Sequence, residues 1–172
     1  MLLEYFQMVD RIEAIDPAAD TIRTVCNVPM QSPVFMGHFP GFPRLPGALM
    51  IETMAQTGGW LVLARLKFVK MPFLTRVESA KLRRFVEPGE ILNGEATLVH
   101  DGSGFAVIEA VISSGGQKVA SAEIRYVVGP FPNDTIRGAM LFKAREIGFP
   151  ADCLPEVRPP EDRPPEDRPH AE

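Results

Sequence analysis

The sequence is poor in cysteine and contains no long uncharged apolar run. Its two cysteines, Cys26 and Cys153, lie far apart, which excludes a disulfide framework and favours a reducing compartment. The most apolar long stretch, residues 46–66, is interrupted by Glu52 and Gln56 and is a poor membrane span. The N-terminus lacks the basic region followed by an apolar region that signal peptides have. We therefore expect a cytoplasmic protein without a membrane span.

An excess of charge of one sign is confined to the C-terminal end. The net charge is −4, and residues 151–172 hold seven acidic residues against three arginines, which leaves 15 residues of each sign in residues 1–150. The same end repeats the unit Arg-Pro-Pro-Glu-Asp twice, a composition that cannot bury apolar surface. We predict one folded domain over residues 1–150 and a disordered tail over residues 151–172.

Strand-like segments stand on both sides of one long apolar segment. A hairpin is predicted over residues 6–28 and a helix over residues 46–66, and the Pro- and Gly-dense loop between them, residues 33–46, leaves no room for regular structure. Four further strands, separated by Gly-containing turns, are predicted over residues 75–86, 90–99, 105–113 and 118–128. This order predicts an α+β fold in which a strongly bent antiparallel sheet wraps around one long helix.

A second helix is predicted after the last strand. Residues 134–147 have an amphipathic pattern, with Asp134 as a possible N-cap and with Gly148 and Pro150 as stop signals. This helix belongs to the predicted folded domain.

Three features near the start of the long helix form a possible catalytic set. His38 lies in the rigid loop, Glu52 lies on the buried helix with Gln56 one turn later, and the start at Pro46 and Gly47 leaves backbone N–H groups without helical partners. Taken singly, each has a structural interpretation as a hydrogen-bonded histidine, a satisfied buried glutamate or an ordinary helix start. Together they provide an imidazole, a carboxyl group and an oxyanion donor, which suits removal of a proton α to a carbonyl.

Two segments carry a resemblance to a known family. Residues 37–56, GHFPGFPRLPGALMIETMAQ, resemble the active-site signature of the 3-hydroxyacyl-[acyl-carrier-protein] dehydratases of bacterial fatty-acid synthesis, and residues 80–89, AKLRRFVEPG, resemble a later strand and turn of that family. The resemblance covers roughly residues 5–128. It implies the hot-dog fold and a homodimer with active sites at its interface, and such dimers often assemble into trimers of dimers in the family. The sequence has no metal-ligand spacing, and no cofactor is expected.

The resemblance also implies a role for each matched residue. His38 would remove the α-proton of a 3-hydroxyacyl thioester, and Glu52 of the other chain would protonate the leaving hydroxyl group, which yields a trans-2-enoyl thioester. Gly47 would bind the thioester carbonyl through its N–H, and Gln56 would orient Glu52. The family branch that also isomerises the double bond carries Asp at the acid position, so Glu52 favours simple dehydration.

A substrate tunnel and a carrier-protein surface are further implications. The tunnel residues would be Phe39, Pro46, Phe73 and Leu82. Residues 65–84 contain seven basic residues and only one acidic residue, which favours binding of an acidic acyl carrier protein and its phosphopantetheine phosphate. The residues assigned to this surface are Lys67, Lys70, Arg76, Lys81, Arg83 and Arg84.

The sequence departs from the family pattern at three positions near the expected tunnel. Phe73 lacks the hydroxyl group of the usual gating tyrosine, Arg76 replaces a usual glycine, and Phe85 replaces a usual proline, which puts the acyl-chain length in doubt. An ordinary solvated face is the alternative for the basic segment, and nucleic-acid binding is not expected. A hot-dog acyl thioesterase and a non-catalytic acyl-binding subunit are the alternative functions. Fatty-acid synthesis and synthesis of a lipid A acyl chain are the possible pathways.

Overall fold

The computed structural model describes residues 1–155, and its main element is one antiparallel sheet. The six strands in this part of the chain follow the order β1-β2-β4-β5-β6-β3, with β1 and β3 at the edges. Their bounds are Arg11–Asp16 (β1), Thr21–Asn27 (β2), Met71–Leu82 (β3), Ile91–Gly102 (β4), Phe105–Ser114 (β5) and Gln117–Gly129 (β6).

Within residues 1–155, three α-helices and the short 3-10 helices Leu3–Tyr5 and Ala151–Cys153 accompany the sheet, and the longest α-helix lies at its centre. The α-helices are α1 (Pro33–Gly37), α2 (Gly47–Arg65) and α3 (Asp134–Glu146). Helix α2 contacts β2, β3, β4, β5 and β6. Five flat strands would span about 20 Å, twice the diameter of a helix, so the sheet must curve for all five to touch α2. The α+β prediction of a bent sheet around a central helix is therefore confirmed.

Helix α2 is apolar around most of its circumference, as its sequence predicts. Met54 and Leu61 are fully buried and face a core to which β5 and β6 contribute Ile108 and Ile124. The helix is also tied to the sheet by a buried polar contact, since the hydroxyl groups of Thr24 and Thr57 lie 2.9 Å apart. None of the helices in residues 1–155 combines the length and the apolar character needed to cross a bilayer.

Helix α1 contradicts the prediction that residues 33–46 contain no regular structure. The hydroxyl group of Ser32 accepts a hydrogen bond from the N–H of Val34 at 3.1 Å, and Pro33 occupies the first helical turn. A Ser N-cap followed by proline is a recognised helix start. The density of prolines obscured this signal, because a proline disrupts a helix interior but not its first turn.

Several other element boundaries differ from the prediction, and two of these differences have a physical explanation. Strand β3 begins at Met71 rather than residue 75, and Pro72 lies within it. This is possible because β3 is an edge strand, where a residue without an N–H can face away from the partner strand. The N-cap of α3 is Asn133 instead of Asp134, and the Asn133 side chain accepts the N–H of Ile136 at 2.9 Å.

The folded part of the chain continues past residue 150. Phe149 is buried, and Cys153 and Leu154, which the prediction assigned to the tail, pack against the core. The rest of the predicted disordered tail, residues 156–172, lies outside the described residues.

Two adjacent glycines of α2 provide a test of this packing. A Cβ atom at Gly58 would lie 2.7 Å from the buried Ile108 side chain and 3.0 Å from the Tyr126 hydroxyl oxygen, whereas a Cβ at Gly59 would meet nothing within 4 Å. We expect Gly58→Ala to lower the free energy of unfolding by about 1–2 kcal/mol through overpacking. The matched change Gly59→Ala should raise it by up to about 1 kcal/mol through helix propensity.

Urea denaturation of both variants measures this difference. Equal effects of the two substitutions would contradict the close approach of α2 to β5 and β6.

Candidate active site

Glu52 is half-buried on α2, and its carboxyl group is held by Gln56 one turn later. The Gln56 Nε2 donates to Glu52 Oε1 at 2.8 Å and also donates to the carbonyl oxygen of Phe6. The Gln56 Oε1 accepts the N–H of Met8 at 3.0 Å. Each end of the Gln56 amide thus has a partner in the N-terminal segment, so the amide is fixed and can fix one carboxyl oxygen of Glu52.

His38 follows α1 directly, and a contact of its ring shows which of the two ring nitrogens carries the hydrogen atom. The Nδ1 atom lies 3.1 Å from the carbonyl oxygen of Arg44. A carbonyl oxygen only accepts hydrogen bonds, so Nδ1 carries the proton in this contact and Nε2 of the neutral ring keeps its lone pair. The ring stacks on Phe39, with 4.0 Å between the ring centroids. His38 therefore has the tautomer that a general base needs.

The start of α2 leaves two backbone donors available. The first helical hydrogen bond there is donated by Leu49 to Pro46, and within residues 1–155 the N–H groups of Gly47 and Ala48 have no acceptor. A Cβ atom at position 47 would overlap the Cδ1 atom of Leu82, so a larger residue there would require the Leu82 side chain to move. Free N–H groups at the positive end of a helix can stabilise a developing oxyanion.

His38 and Glu52 do not share a cavity within one chain. Glu52 and Gln56 line an apolar cavity of about 570 Å³ between α2, the start of β3 and α3. His38 is absent from that lining, and its neighbour Phe39 lines a different cavity of about 600 Å³ beside α1. Within residues 1–155 of one chain, the Glu52 cavity therefore lacks the proposed base.

The four predicted tunnel residues are distributed around these features. Phe39 lies against His38, while Pro46 caps α2 and Leu82 abuts Gly47. Phe73 lies on β3 near Gly129. None of the four lines the cavity that contains Glu52. A tunnel that joins them to Glu52 would need residues of a second chain, and it stays a prediction.

Sequence comparisons identify the family of the chain. The family described as "FabA-like domain" matches residues 1–123. The chain is 37% identical over 131 residues to the 3-hydroxyacyl-[acyl-carrier-protein] dehydratase FabZ of Syntrophotalea carbinolica, which covers 75% of this chain and 88% of that protein. It is also 37% identical over 122 residues to FabZ of Clostridium acetobutylicum, covering 70% and 86% of the two chains. The chain belongs to the FabA-like family.

The fold of this FabA-like chain also occurs among solved structures. A hypothetical thioesterase from Streptococcus pneumoniae, crystallised with coenzyme A, matches it with a TM-score of 0.56 and 16% sequence identity, and the match covers 72% of this chain and 88% of the other. At this identity the similarity supports the hot-dog fold and carries no functional argument.

The basic residues predicted to bind a carrier protein are divided between the two ends of β3. Lys67 and Lys70 are exposed just before the strand, and Lys81 and Arg83 are exposed at its end. A strand of 12 residues spans roughly 35 to 40 Å. These side chains therefore do not form one continuous patch on a single chain.

The remaining two basic residues of this set are engaged in ion pairs. Arg76 lies 2.8 Å from Glu78. Arg84 makes two hydrogen bonds to Glu90, at 2.9 and 2.6 Å, and Glu90 also accepts from the hydroxyl of Ser114 at 2.7 Å. The hydrogen bonds from Arg84 are the largest cause that lowers the pKa of Glu90 to about 2. Arg84 thus has a structural role that its sequence position did not indicate.

The FabA-like chain also contains cavity residues that the sequence did not identify. Helix α3 was predicted, but its amphipathic pattern does not say which element it packs against. Its side chains form one wall of the Glu52 cavity, together with Trp60, Leu63 and Met71. Tyr126 lines the same cavity and donates to the carbonyl oxygen of Ala55 at 2.7 Å.

The Glu90 contact predicts an acid dependence of stability. The folded-state pKa of about 2 is below the reference value of 4.5, so the stabilisation is present above pH 4.5 and is lost as the pH falls through 2. We expect Glu90→Gln to lower the free energy of unfolding by about 1 kcal/mol at neutral pH, a value discounted for solvent screening.

Denaturation of wild type and variant across the acid range measures this dependence. The difference should shrink as the pH falls, and the exposed Glu95, changed to Gln, serves as the control. A difference independent of pH would contradict the role of the Glu90 charge.

Proposed function

We propose that this protein dehydrates a 3-hydroxyacyl thioester carried on acyl carrier protein to the trans-2-enoyl thioester, as an enzyme of fatty-acid synthesis in the cytoplasm. The curated relatives with which it shares most of its length are named for this reaction. The observation that carries the proposal is that His38 and Glu52 both stand in the matched segment, each with the partner that its role requires. The two described cysteines are unpaired, in keeping with a reducing compartment.

His38 is the proposed general base. Its Nδ1–H donates to the Arg44 carbonyl, so the basic Nε2 is directed to other partners and can take the α-proton of the substrate. The electrons of the broken C–H bond develop as an enolate at the thioester carbonyl. The free N–H of Gly47, at the positive end of α2, would stabilise that charge.

Glu52 is the proposed general acid. Its protonated carboxyl group would give a proton to the 3-hydroxyl group, the C–O bond would break, and water would leave as the double bond forms. Gln56 would hold the carboxyl group in position through the 2.8 Å hydrogen bond. The base is then protonated and the acid ionised, and exchange of protons with solvent restores both groups.

The active unit is proposed to be a homodimer, because His38 does not line the cavity that contains Glu52 in the described part of one chain. Strand β3 is an edge whose outer side has no strand partner within residues 1–155. Leu74 and Leu82 on this strand are 45% and 49% exposed, and an exposed edge strand of this length is a template for pairing. Pairing of β3 with the same strand of a second copy about a two-fold axis would make this surface an isologous interface. Assembly into a trimer of dimers stays a prediction.

Dimerisation through β3 would also bring together the basic residues that lie at opposite ends of this strand in one chain. Antiparallel pairing brings the start of one β3 beside the end of its partner, so Lys67 and Lys70 of one chain would approach the region of Lys81 and Arg83 in the other. Only in the dimer would these charges form one surface for an acidic acyl carrier protein. Complementary charge of this kind acts mainly on the association rate.

Activity measurements on two active-site variants test the proposed reaction. Purified protein is incubated with 3-hydroxyacyl-carrier protein, and enoyl absorbance and free acid are followed. We expect His38→Ala and Glu52→Gln each to lower kcat by about 100-fold or more, because each removes general acid or base assistance. His100→Ala is the control, since His100 stacks on Phe105 away from both cavities. Unchanged enoyl formation in both variants would refute the assignment, and free acid without enoyl product would favour a thioesterase.

Complementation between the two inactive variants tests the shared active site. A mixed dimer of His38→Ala and Glu52→Gln chains contains one site with both intact residues. We expect denaturation and joint refolding of equal amounts to restore about a quarter of the wild-type activity, because half of the dimers are mixed and each has one working site. Mixing without subunit exchange is the control. No recovery despite proven exchange would place both residues of a site in one chain.

A further inference from the structure

Helix α3 is fixed to the body of the protein although it lies beyond the FabA-like match, which ends at residue 123. The Nε atom of Arg137 donates to the carbonyl oxygen of Phe68 at 2.8 Å. After the helix, Phe149 packs edge-to-face on Trp60 and Phe68, with ring centroids 5.8 and 5.5 Å apart, and the carbonyl of Ile147 accepts the N–H of Ile12 at 2.7 Å. Anchors at both ends hold α3 in one place.

One face of α3 borders the cavity that contains Glu52. The α3 residues that line it are Ala139, Met140, Phe142, Lys143 and Glu146. Positions 139, 142, 143 and 146 repeat at the three- and four-residue spacing of a single helix face. The part of the lining that α3 contributes is apolar except for the ion pair between Lys143 and Glu146, whose atoms lie 3.2 Å apart.

The anchors of α3 place it far from the proposed acid along α2. Trp60 follows Glu52 by eight residues, which corresponds to about 12 Å of helix, and Phe68 lies beyond the end of α2. The cavity therefore extends from Glu52 to a wall that α3 supplies. Its volume of about 570 Å³ and apolar lining are typical of a binding pocket for a small apolar group.

We propose that α3 forms the distal wall of the acyl-chain site and that Met140 and Phe142 determine which acyl chains the enzyme accepts. This inference rests on the proposed function, since it takes the chain attached to the reacting thioester as the occupant of the cavity. A chain that runs from Glu52 along α2 meets α3 at its end. Side-chain volume at Met140 and Phe142 then limits how far the chain extends.

Substitutions at these two positions test the inference in the full-length protein. The readout is the ratio of kcat/KM for a long-chain to that for a short-chain 3-hydroxyacyl-carrier protein. We expect Met140→Ala and Phe142→Ala to raise the ratio by about tenfold, and Met140→Trp to lower it by about tenfold, which is the discrimination that an apolar pocket gains from one or two methylene groups. Phe142 is 62% exposed, so its replacement leaves the core intact even if Met140 variants fold poorly.

Ile136→Ala is the matched control, because Ile136 is an apolar α3 residue outside the cavity lining. It should keep the wild-type ratio. The inference would be overturned if Phe142→Ala and the folded Met140 variants kept the wild-type ratio of long-chain to short-chain kcat/KM. It would also be overturned if these variants changed only the oligomeric state, measured by light scattering, and left that ratio unchanged. Absence of enoyl product from the wild type would instead contradict the proposed function itself.

Discussion

Helix α2 has almost no polar face to offer to water, so its burial requires the sheet to close around it. The hydrophobic effect makes this requirement strong, because each large apolar side chain that is buried contributes about 1.5–3 kcal/mol. Leu61, Val62 and Leu63 leave the helix in directions about 100° apart and are all buried. The curvature of the sheet, the close approach at Gly58 and the length of β3 are consequences of enclosing one helix on most of its sides.

The same burial creates a problem at Glu52, whose carboxyl group lies in the wall of an apolar cavity. A charge there is costly unless it is hydrogen-bonded. Burial chiefly, and the nearby Glu52 charge in addition, raise the pKa of Tyr126, so that phenol stays protonated and donates to the backbone. Gln56 alone among these neighbours contacts the carboxyl group directly. The proposed site for acid catalysis thus consists of one carboxyl group that, among residues 1–155, has a single hydrogen-bond partner.

Much of this could be predicted from the sequence, and the failures have physical causes. The strands follow from the period of two residues that burial of one face imposes. Helix α2 follows from a long proline-free run of apolar and helix-forming residues after Pro46. Residues 37–56 carry the prediction of His38 and Glu52 as catalytic residues, and that assignment stays a proposal. The position at which α3 packs could not be predicted, because it depends on contacts of Phe149 and Arg137 with residues distant in the sequence. Arg84 was predicted to belong to the carrier-protein surface, because its ion pair with Glu90 becomes evident only when the strands are placed in the sheet.

The two ends of the Gln56 amide are used by different parts of the chain. Its oxygen accepts from the backbone of Met8, while its nitrogen serves both Phe6 and Glu52. A glutamate at this position would lack the donors, and an alanine would lack both functions. The path of the first ten residues therefore influences the position of the Glu52 carboxyl group through Gln56. A change in their path would alter the orientation of Glu52 while the sheet and its core stayed as they are.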